Sequence, residues 1–299
     1  MSLDLVILGN LLVDDVVYED GRTRMAQPGG AVLYAALGAA LWDVHVGIAS
    51  WRGDDYPAWA LDTLAARGID VSGVLPLGGP SLRTWLLYEG RRRQIVHRLD
   101  CPSHAEVSPT VDRLPSGWLS ARAFHLAPMP LDVQRGLLKA LGGRETLLSV
   151  DPYELFRPDT LESCLASLVG ADVLFLSEDE LELPGAREDP RGVLRKLWGG
   201  RLHRIVFKRG VLGGLLFDAR EDTFAEWTAR TERLLDPTGA GDAFAGGVLA
   251  GWLQGDPTPR ALGRGVVSAS FAIEGWGAAG LLEATPAAAA ARFDQWFPA

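Results

Sequence analysis

The stretch from Asp236 to Phe244, DPTGAGDAF, carries residue types that could perform chemistry. Thr238 is a favourable N-cap, so we expect a helix to begin near Gly239. The first amides of a helix lack partners within it and the helix dipole favours negative charge there, so such a turn can bind phosphate. Asp242 beside that turn is suited to take a proton from a hydroxyl that attacks a bound phosphoryl group. The alternative is a glycine-rich turn with Asp242 as an ordinary first-turn charge, and GAGD alone leaves both interpretations open.

The residues that follow must hold this turn in place. They show apolar positions at helical spacing, which predicts a helix with one buried face formed by Ala243, Phe244, Val248, Leu249 and Trp252. A second amphipathic helix is expected to end at Gly275, and an alanine-rich helix closes the chain.

Short apolar runs alternate with helical patterns along most of the chain. Residues 3–8 form such a run and end at Gly9, which predicts a buried parallel strand. From residue 121 to residue 232 the alternation continues, which favours right-handed βαβ units and a mainly parallel sheet. The predicted strand ends Pro128, Asp151, Ser177 and Gly210 would share one edge of that sheet, where ligands bind in open α/β folds.

Two segments show hairpin patterns instead. Alternating residues surround a turn at residues 19–21 and a second turn at residues 89–90, and the two hairpins are expected to form a small separate sheet. Asp14 and Asp15 lie in the first hairpin and face either a ligand or solvent. Asp54 and Asp55 precede a predicted helix and are expected to cap it.

Composition restricts the class of protein. The 299 residues are 47% hydrophobic and 22% charged, and no apolar run approaches the 18 residues of a membrane-spanning helix. A net charge of −9 argues against a nucleic-acid partner, because phosphate backbones are bound by clustered Lys and Arg, and the basic run 91–93 is too short to change this. The N-terminus lacks the basic segment of a signal peptide, and Cys101 and Cys164 are expected to be unpaired thiols, so we expect a cytoplasmic protein.

Several enzyme classes are disfavoured by missing motifs. The chain has no G-x-x-x-x-G-K-[ST] phosphate loop, no G-x-G-x-x-G after its first strand and no G-x-S-x-G nucleophile elbow. Its five histidines are scattered without the spacing of zinc ligands.

The full string DPTGAGDAF resembles the C-terminal signature of the ribokinase-like (PfkB) family of carbohydrate and nucleoside kinases. Gly9 to Asp14 is similar to the family's G-x-x-x-x-D pattern, and Gly29-Gly30 resembles the glycine pair that opens its first long helix. The resemblance implies an α/β, three-layer αβα fold with a mainly parallel central sheet and a small β-sheet lid. It also implies a single kinase domain over residues 1–299, with lid segments at residues 13–28 and 82–101.

For the acceptor side of the site, the resemblance implies specific roles. Asp242 would be the catalytic base, and the amides of Gly239, Ala240, Gly241 and Asp242 would form the anion hole. Asp14, Gly29 and Gly30 would bind the substrate. Tyr34 stands where many sugar kinases have an Asn, and an aromatic ring there favours a polyol or nucleoside over a ribose-like sugar.

For the nucleotide side, Lys208 and Gly210 fall where the family has a strand-end Thr-x-Gly beside the phosphates. Lys208 would meet a phosphate or be a solvated strand-end charge. The resemblance places adenine between the Gly210 loop and the region that contains Gly277.

Metal ions are implied at two places. Glu180 matches the acidic residue of the family's N-x-x-E motif, which positions Mg²⁺ through water, and Ser177 replaces the Asn; the alternative for Glu180 is a carboxylate at a helix N-terminus. Asp236 and Thr238 match two ligand positions of a monovalent-cation site, so K⁺ is an open question.

We therefore predict a PfkB-type kinase that moves the γ-phosphate of Mg-ATP to a hydroxyl of a small carbohydrate, polyol or nucleoside. Its partners would be ATP and this small molecule, with no nucleic acid or membrane, and a homodimer through the lid is left open. The alternative is a non-catalytic ligand-binding or regulatory protein that retains the kinase fold. A third class is a nucleotide-dependent enzyme that transfers no phosphate to a sugar.

Overall fold

The computed structural model describes residues 2–89 and 92–298. Gly90 of the second predicted turn and Arg91 of the basic run lie outside these residues. The strands are β1 (Leu5–Leu8), β2 (Leu12–Val17), β3 (Thr23–Gly29), β4 (Val46–Arg52), β5 (Asp70–Pro76), β6 (Arg83–Glu89), β7 (Arg92–His97), β8 (Ala123–Leu126), β9 (Leu147–Val150), β10 (Val173–Ser177), β11 (Arg204–Lys208), β12 (Gly214–Asp218) and β13 (Thr223–Trp227). The α-helices are α1 (Ala31–Ala39), α2 (Ala58–Ala66), α3 (Leu131–Leu141), α4 (Leu161–Ser167), α5 (Pro190–Leu194), α6 (Ala240–Leu253), α7 (Thr258–Ile273), α8 (Ala279–Glu283) and α9 (Pro286–Trp296).

The larger sheet has nine strands in the described part of the chain, in the order β13-β12-β11-β10-β9-β8-β1-β4-β5. The seven strands from β11 to β5 pair in parallel, and β12 and β13 add an antiparallel hairpin at one edge. The predicted mainly parallel sheet is therefore confirmed. The carboxyl ends of its parallel strands share one edge, where the chemistry-bearing residues meet.

Helices cover both faces of this sheet, and its strand β1 is apolar on both sides. Leu5 and Ile7 of β1 belong to a core shared with α1, α2, α6 and α7, whereas Val6 and Leu8 belong to a second core with α3, α4 and α5. All four residues are fully buried. The alternation of β1 between two cores explains why a strand with no polar residue is stable here.

Helix α6 packs very closely against α1. A Cβ at Gly246 would lie 2.0 Å from the backbone oxygen of Ala35, so only glycine permits this approach. Glycine inside a helix costs roughly 0.5–1 kcal/mol relative to alanine. Close packing of the two helices offsets that cost and fixes where the N-terminus of α6 lies.

The smaller sheet has the order β3-β2-β6-β7 and corresponds to the predicted β-lid. Its centre holds Asp15, whose carboxylate accepts hydrogen bonds from Arg83 at 2.8 and 2.9 Å and from the amide of Ala26 at 2.9 Å. Burial opposes ionisation of Asp15, but these donors outweigh it and its pKa is lowered. Asp15 is therefore a buried structural ion-pair partner of the lid and not a solvated hairpin residue.

The predicted capping role of Asp54 and Asp55 is wrong. Helix α2 begins after Pro57 without a side-chain cap. The carboxylates instead accept hydrogen bonds from the amides of Gly79 and Ser81, at 3.0 and 2.6 Å. The cause is tertiary: the chain returns beside this loop after β5, and its amides take the oxygens that a helix would otherwise use.

Cys101 and Cys164 are free thiols. Among the helices in the described part of the chain, none combines the length and apolar character needed to cross a bilayer.

Candidate active site

The N-terminus of α6 forms the centre of the site. The predicted N-cap is wrong by one residue: Gly239 caps α6, with a left-handed φ of 74°, and no side chain caps the helix. Residues Gly239–Asp242 are half-buried, whereas the rest of α6 is almost wholly buried. The turn is therefore accessible and is not sealed under apolar atoms. The amide of Ala240 donates a long, 3.3 Å hydrogen bond to the carbonyl of Pro237. The first amides of an α-helix have no acceptor within the helix, so this turn can offer donors to an anion.

The ring of Tyr34 explains the geometry of Gly239. A Cβ at this glycine would lie 2.0 Å from Cδ1 of Tyr34, so the aromatic ring packs directly on the glycine backbone. Tyr34 is 2% exposed, and burial raises its pKa well above the usual value, with Asp14 and Asp236 adding to the effect. Its phenol stays protonated. Tyr34 thus forms a wall of the site, and its predicted role as a platform for substrate is not tested by this packing.

Lys208, at the end of β11, is a buried cation in the same place. Its Nζ lies 2.7 Å from Oδ2 of Asp151, and the two side chains are only 12% and 2% exposed. A Cβ at Gly241 would lie 3.2 Å from this Nζ, so the ammonium group is held against the first turn of α6. The alternative of a solvated strand-end charge is therefore wrong.

The charges around Lys208 support one another. Burial alone would lower the pKa of Lys208, but the carboxylates of Asp151, Glu180 and Asp242 raise it above the usual value. Burial raises the pKa of Asp151, the charges of Glu180 and Asp242 raise it further, and Lys208 opposes them. One protonated lysine thus compensates several carboxylates and is placed to meet an anion at the α6 turn.

An apolar cavity of about 300 Å³ opens on one side of this turn. Lys208, Gly210, Ala240 and Gly241 line the end of the cavity at the α6 turn. Its other walls are mainly apolar and include Val211, Trp227, Leu234, Pro237, Phe244 and Ile273. A mostly apolar cavity next to an anion site is suited to a nucleotide, with the base in the cavity and the phosphates at the turn.

Asp14 lies on the other side, in strand β2 of the lid. It is 6% exposed and accepts a 2.6 Å hydrogen bond from the hydroxyl of Thr84 in β6. Gly29 and Gly30 permit this arrangement, because a Cβ at Gly29 would lie 2.1 Å from Oδ2 of Asp14 and one at Gly30 would lie 2.2 Å from the backbone oxygen of Asn10. The sequence-predicted acceptor residues are thus brought together.

Tyr56 adds a polar group near Asp14. Its hydroxyl is buried and has no hydrogen-bond partner within residues 2–89 and 92–298. Burial and the nearby charge of Asp14 raise the pKa of Tyr56. A buried hydroxyl without a partner costs about 1–3 kcal/mol, so this donor is suited to a ligand hydroxyl.

Asp236 and Thr238 form a junction between the lid and the α6 turn. The hydroxyl of Tyr88, from β6, lies 2.6 Å from Oδ1 of Asp236 and 2.6 Å from Oγ1 of Thr238. Asp236 also accepts hydrogen bonds from the amides of Thr238 and Gly277, both at 2.9 Å. Thr238 fails to cap α6 because its hydroxyl meets Tyr88 instead. Gly277 lies beside Asp236 and is not among the residues that line the apolar cavity, so its nucleotide role stays a prediction.

Glu180 lies near Lys208. It could help to bind a metal ion only together with other carboxylates and with the phosphates of the nucleotide. Its Oε2 accepts a 2.7 Å hydrogen bond from the amide of Ser177, as in the alternative of a helix-terminal carboxylate. In the described ranges, no three His, Cys, Asp or Glu side chains form a metal site by themselves. Mg²⁺ commonly takes one or two carboxylates plus phosphate oxygens and water. Carboxylates of Glu180, Asp151 and Asp242 around one lysine therefore fit an ion that arrives with the nucleotide.

Comparison with known proteins agrees with this arrangement. Residues 4–285 match the pfkB family carbohydrate kinase profile. The chain belongs to the pfkB family. It is therefore a kinase, of the kind that phosphorylates carbohydrates or nucleosides, and the family implies ATP as the phosphate donor.

Individual relatives cover nearly the whole of this pfkB kinase. A cytidine kinase from Thermococcus kodakarensis is 32% identical over 92% of this chain and 98% of its own. The nucleoside kinase of Methanocaldococcus jannaschii, an archaeal member of the ribokinase family, has a similar structure, with a TM-score of 0.74, 17% identity and coverage of 98% and 99% of the two chains. A fructokinase with bound ATP from Xylella fastidiosa gives a TM-score of 0.75 at 18% identity over 98% of both chains. The predicted ribokinase-like fold is confirmed.

The sequence missed four polar residues of this pfkB kinase site. These residues are Asp151, Thr84, Tyr88 and Tyr56. Asp151 was visible as a strand end but had no motif, and Thr84 and Tyr88 alternate along β6 on the face that carries Leu86. Their partners lie far away in the chain, so no local pattern indicates them.

Proposed function

We propose that this protein transfers the γ-phosphate of Mg-ATP to a hydroxyl of a small carbohydrate, polyol or nucleoside, with Asp242 as the general base. The observation that carries the proposal is the position of the α6 turn. The turn lines the apolar cavity on one side and packs on Tyr34 on the other, and the pKa of Tyr34 responds to both Asp14 and Asp242. Donor and acceptor sites would therefore meet at Asp242.

The residues divide the chemistry among them. Asp14 and Tyr56 would hold hydroxyls of the acceptor, and Asp242 would remove the proton from the attacking one. The first-turn amides of α6 and the ammonium group of Lys208 would stabilise the charge on the transferred phosphoryl oxygens. Mg²⁺, when bound with the nucleotide, supplies further charge neutralisation. Closure of the lid over the acceptor would exclude water, which otherwise competes as a nucleophile.

Asp242→Asn tests the role of the base. We expect kcat to fall by about 10²–10⁴-fold, because an amide of the same shape cannot accept the proton. Binding of a non-hydrolysable ATP analogue, measured by calorimetry, should change little. Asp62→Asn is the matched control, because Asp62 is exposed on α2. An Asp242→Asn enzyme with near-normal kcat would remove Asp242 from this role.

The acceptor is tested by an ATP-consumption screen over pentoses, hexoses, inositols and nucleosides. The similarity to a cytidine kinase at 32% identity supports a nucleoside, as does the aromatic ring of Tyr34 in place of an amide. Turnover with one class supports the proposal for that class. Binding without turnover for every compound would instead support the ligand-binding alternative.

K⁺ at Asp236 and Thr238 is a separate part of the proposal. Both residues offer oxygen atoms, but the hydroxyl of Tyr88 and two amides already contact Asp236. Activity in K⁺ compared with activity in tetramethylammonium at equal ionic strength decides the point. An equal rate in the two salts would contradict a K⁺ requirement.

A homodimer through the lid also stays a prediction. Three apolar side chains of the lid sheet could contact a second copy of the chain. They are Met25, Ile95 and Val96, which are 44%, 50% and 45% exposed. Light scattering coupled to size-exclusion chromatography gives the mass. A monomer at all concentrations would contradict the prediction.

A further inference from the structure

The pairing of the lid strands places His97 on the same face as Asp14. Asp14 pairs with Thr84, and Thr84 pairs with His97. Side chains of residues that pair across neighbouring strands lie on one face of a sheet. The 2.6 Å hydrogen bond from Thr84 to Asp14 agrees with this geometry. His97 therefore lies two strands, or roughly 10 Å, from Asp14 along the inner face of the lid.

His97 begins a row of three rings. Its ring centroid lies 5.0 Å from that of His104, at an interplanar angle of 88°. The centroid of His104 lies 5.4 Å from that of Tyr153, at 60°. Tyr153 follows two residues after Asp151, the partner of Lys208. The row of rings thus runs from the inner face of the lid to the loop after β9, which carries Asp151, the ion-pair partner of Lys208.

Hydrogen bonding determines the tautomer of His104. The Asn10 amide nitrogen donates to the backbone oxygen of His104 at 3.0 Å, and because a carbonyl oxygen only accepts, this contact fixes the orientation of the Asn10 amide. The same nitrogen lies 3.1 Å from Nδ1 of His104. Since an amide nitrogen only donates, Nδ1 must accept. The proton of the neutral ring is then on Nε2.

The ring of His104 is neutral under ordinary conditions. Burial, with a contribution from His97, lowers its pKa to about 4. Its Nε2 is buried and has no hydrogen-bond partner within the two described ranges. Leaving a buried N–H without an acceptor is costly, so the arrangement is suited to a ligand that brings the acceptor.

We propose that His97, His104 and Tyr153 form the subsite for the heteroaromatic base of a nucleoside acceptor, and that Nε2–H of His104 donates to a carbonyl or ring nitrogen at the edge of the base. This inference rests on the proposed function. The ribose would lie between the ring row and Asp14, and its primary hydroxyl would point to Asp242. Planar bases have a π face that stacks on aromatic rings, whereas a free sugar has none. The protein would therefore prefer nucleosides to free sugars.

His104→Phe tests the subsite, because it keeps a ring beside His97 and Tyr153 and removes the N–H. We expect kcat/KM for cytidine and for inosine to fall about 10–100-fold. Most of the change should be in KM, because the base is remote from the reacting atoms. Activity with ribose should change less than twofold. His45→Phe is the matched control, because His45 is exposed near the amino end of β1.

Several results would overturn the inference. These are unchanged nucleoside kinetics in His104→Phe, an equal loss for ribose, and a wild-type enzyme that uses ribose or fructose as well as any nucleoside. If His104→Phe has a lowered melting temperature, Tyr153→Ala replaces it, since Tyr153 is 40% exposed and its loss should be tolerated.

Binding measurements separate this inference from the proposed function. Calorimetry would titrate cytidine and inosine into the wild type and His104→Phe in the presence of Mg²⁺ and a non-hydrolysable ATP analogue. Nucleoside binding that depends on His104, without turnover by the wild type, would support the subsite and contradict the proposed function. Turnover of a sugar without nucleoside binding would do the reverse.

Discussion

The ion pair of Lys208 and Asp151 allows stability and catalysis to be separated in one double-mutant cycle. The two charged atoms lie 2.7 Å apart and the side chains are 12% and 2% exposed. Lys208→Met leaves the buried carboxylate of Asp151 without its partner, which costs about 3–5 kcal/mol of unfolding free energy. Asp151→Asn should cost less, because Glu180 and Asp242 still compensate the charge of Lys208. The double variant removes both charges of the pair and should recover the part of the Lys208→Met loss that comes from Asp151. Urea denaturation of the four proteins measures the coupling.

The kinetic effect of the same variants should follow a different order. If Lys208 stabilises the transferred phosphoryl group, its loss should lower kcat by about 10²–10³-fold, as for an oxyanion-hole donor. Lys208→Met and the stable double variant should both show this loss, whereas Asp151→Asn keeps the ammonium group and should lose less. The double variant is therefore expected to be folded and nearly inactive.

A control pair joins the other end of β11 to β12. Arg204 at the amino end of β11 and Asp218 at the end of β12 are 3.0 Å apart, and their side chains are 28% and 15% exposed. Their coupling should be about 1 kcal/mol or less, with no change in kcat. A Lys208→Met/Asp151→Asn protein with restored kcat would refute the argument, because Lys208 would then be only a structural partner of Asp151.

Three other predictions concern single residues. Gly239→Ala should destabilise the protein by several kcal/mol and abolish turnover, since its Cβ would overlap the ring of Tyr34. Gly255 has a similar positive φ, 83°, but lies in open space, so Gly255→Ala should cost only about 1–2 kcal/mol. An equal loss of stability in the two variants would exclude the overlap. Tyr88→Phe removes the hydroxyl that joins the lid to the α6 turn, so the acceptor KM should rise while the melting temperature falls only slightly, and unchanged kinetics would exclude a role in closure. Burial lowers the pKa of His125 to about 3, so below pH 6.5 the unfolded chain binds a proton that the folded chain does not. The unfolding free energy should therefore fall by about 2 kcal/mol between pH 7 and pH 5. Urea titrations of His125→Gln should lose this pH dependence, and a variant with the same dependence of unfolding free energy on pH as the wild type would contradict the prediction.

Much of the fold could be predicted because the relevant signals are local. The apolar run at residues 3–8 has the composition of a strand buried on both faces, and β1 is such a strand. Helices α6, α7 and α9 lie where the sequence patterns predict helices. The predicted single buried face of α6 is wrong, because almost all of the helix after Asp242 is buried and Trp252 is only half-buried. The details at helix starts were less predictable. Thr238 has the side chain of a good cap, but a hydroxyl from the lid competes for it.

By itself, the sequence determined the family, the alternation of strands and helices, and the acidic residue that follows a Gly-Ala-Gly turn, because these depend on neighbours along the chain. Only the tertiary structure decided that Lys208 meets Asp151, 57 positions earlier, and that Tyr88 meets Asp236, 148 positions later. It also decided that Nδ1 of His104 faces the Asn10 amide and that Nε2 of the same ring has no hydrogen-bond partner among the described residues. The physical reason is that the order and pairing of strands set these contacts, and that no local spacing encodes the order in which parallel strands assemble.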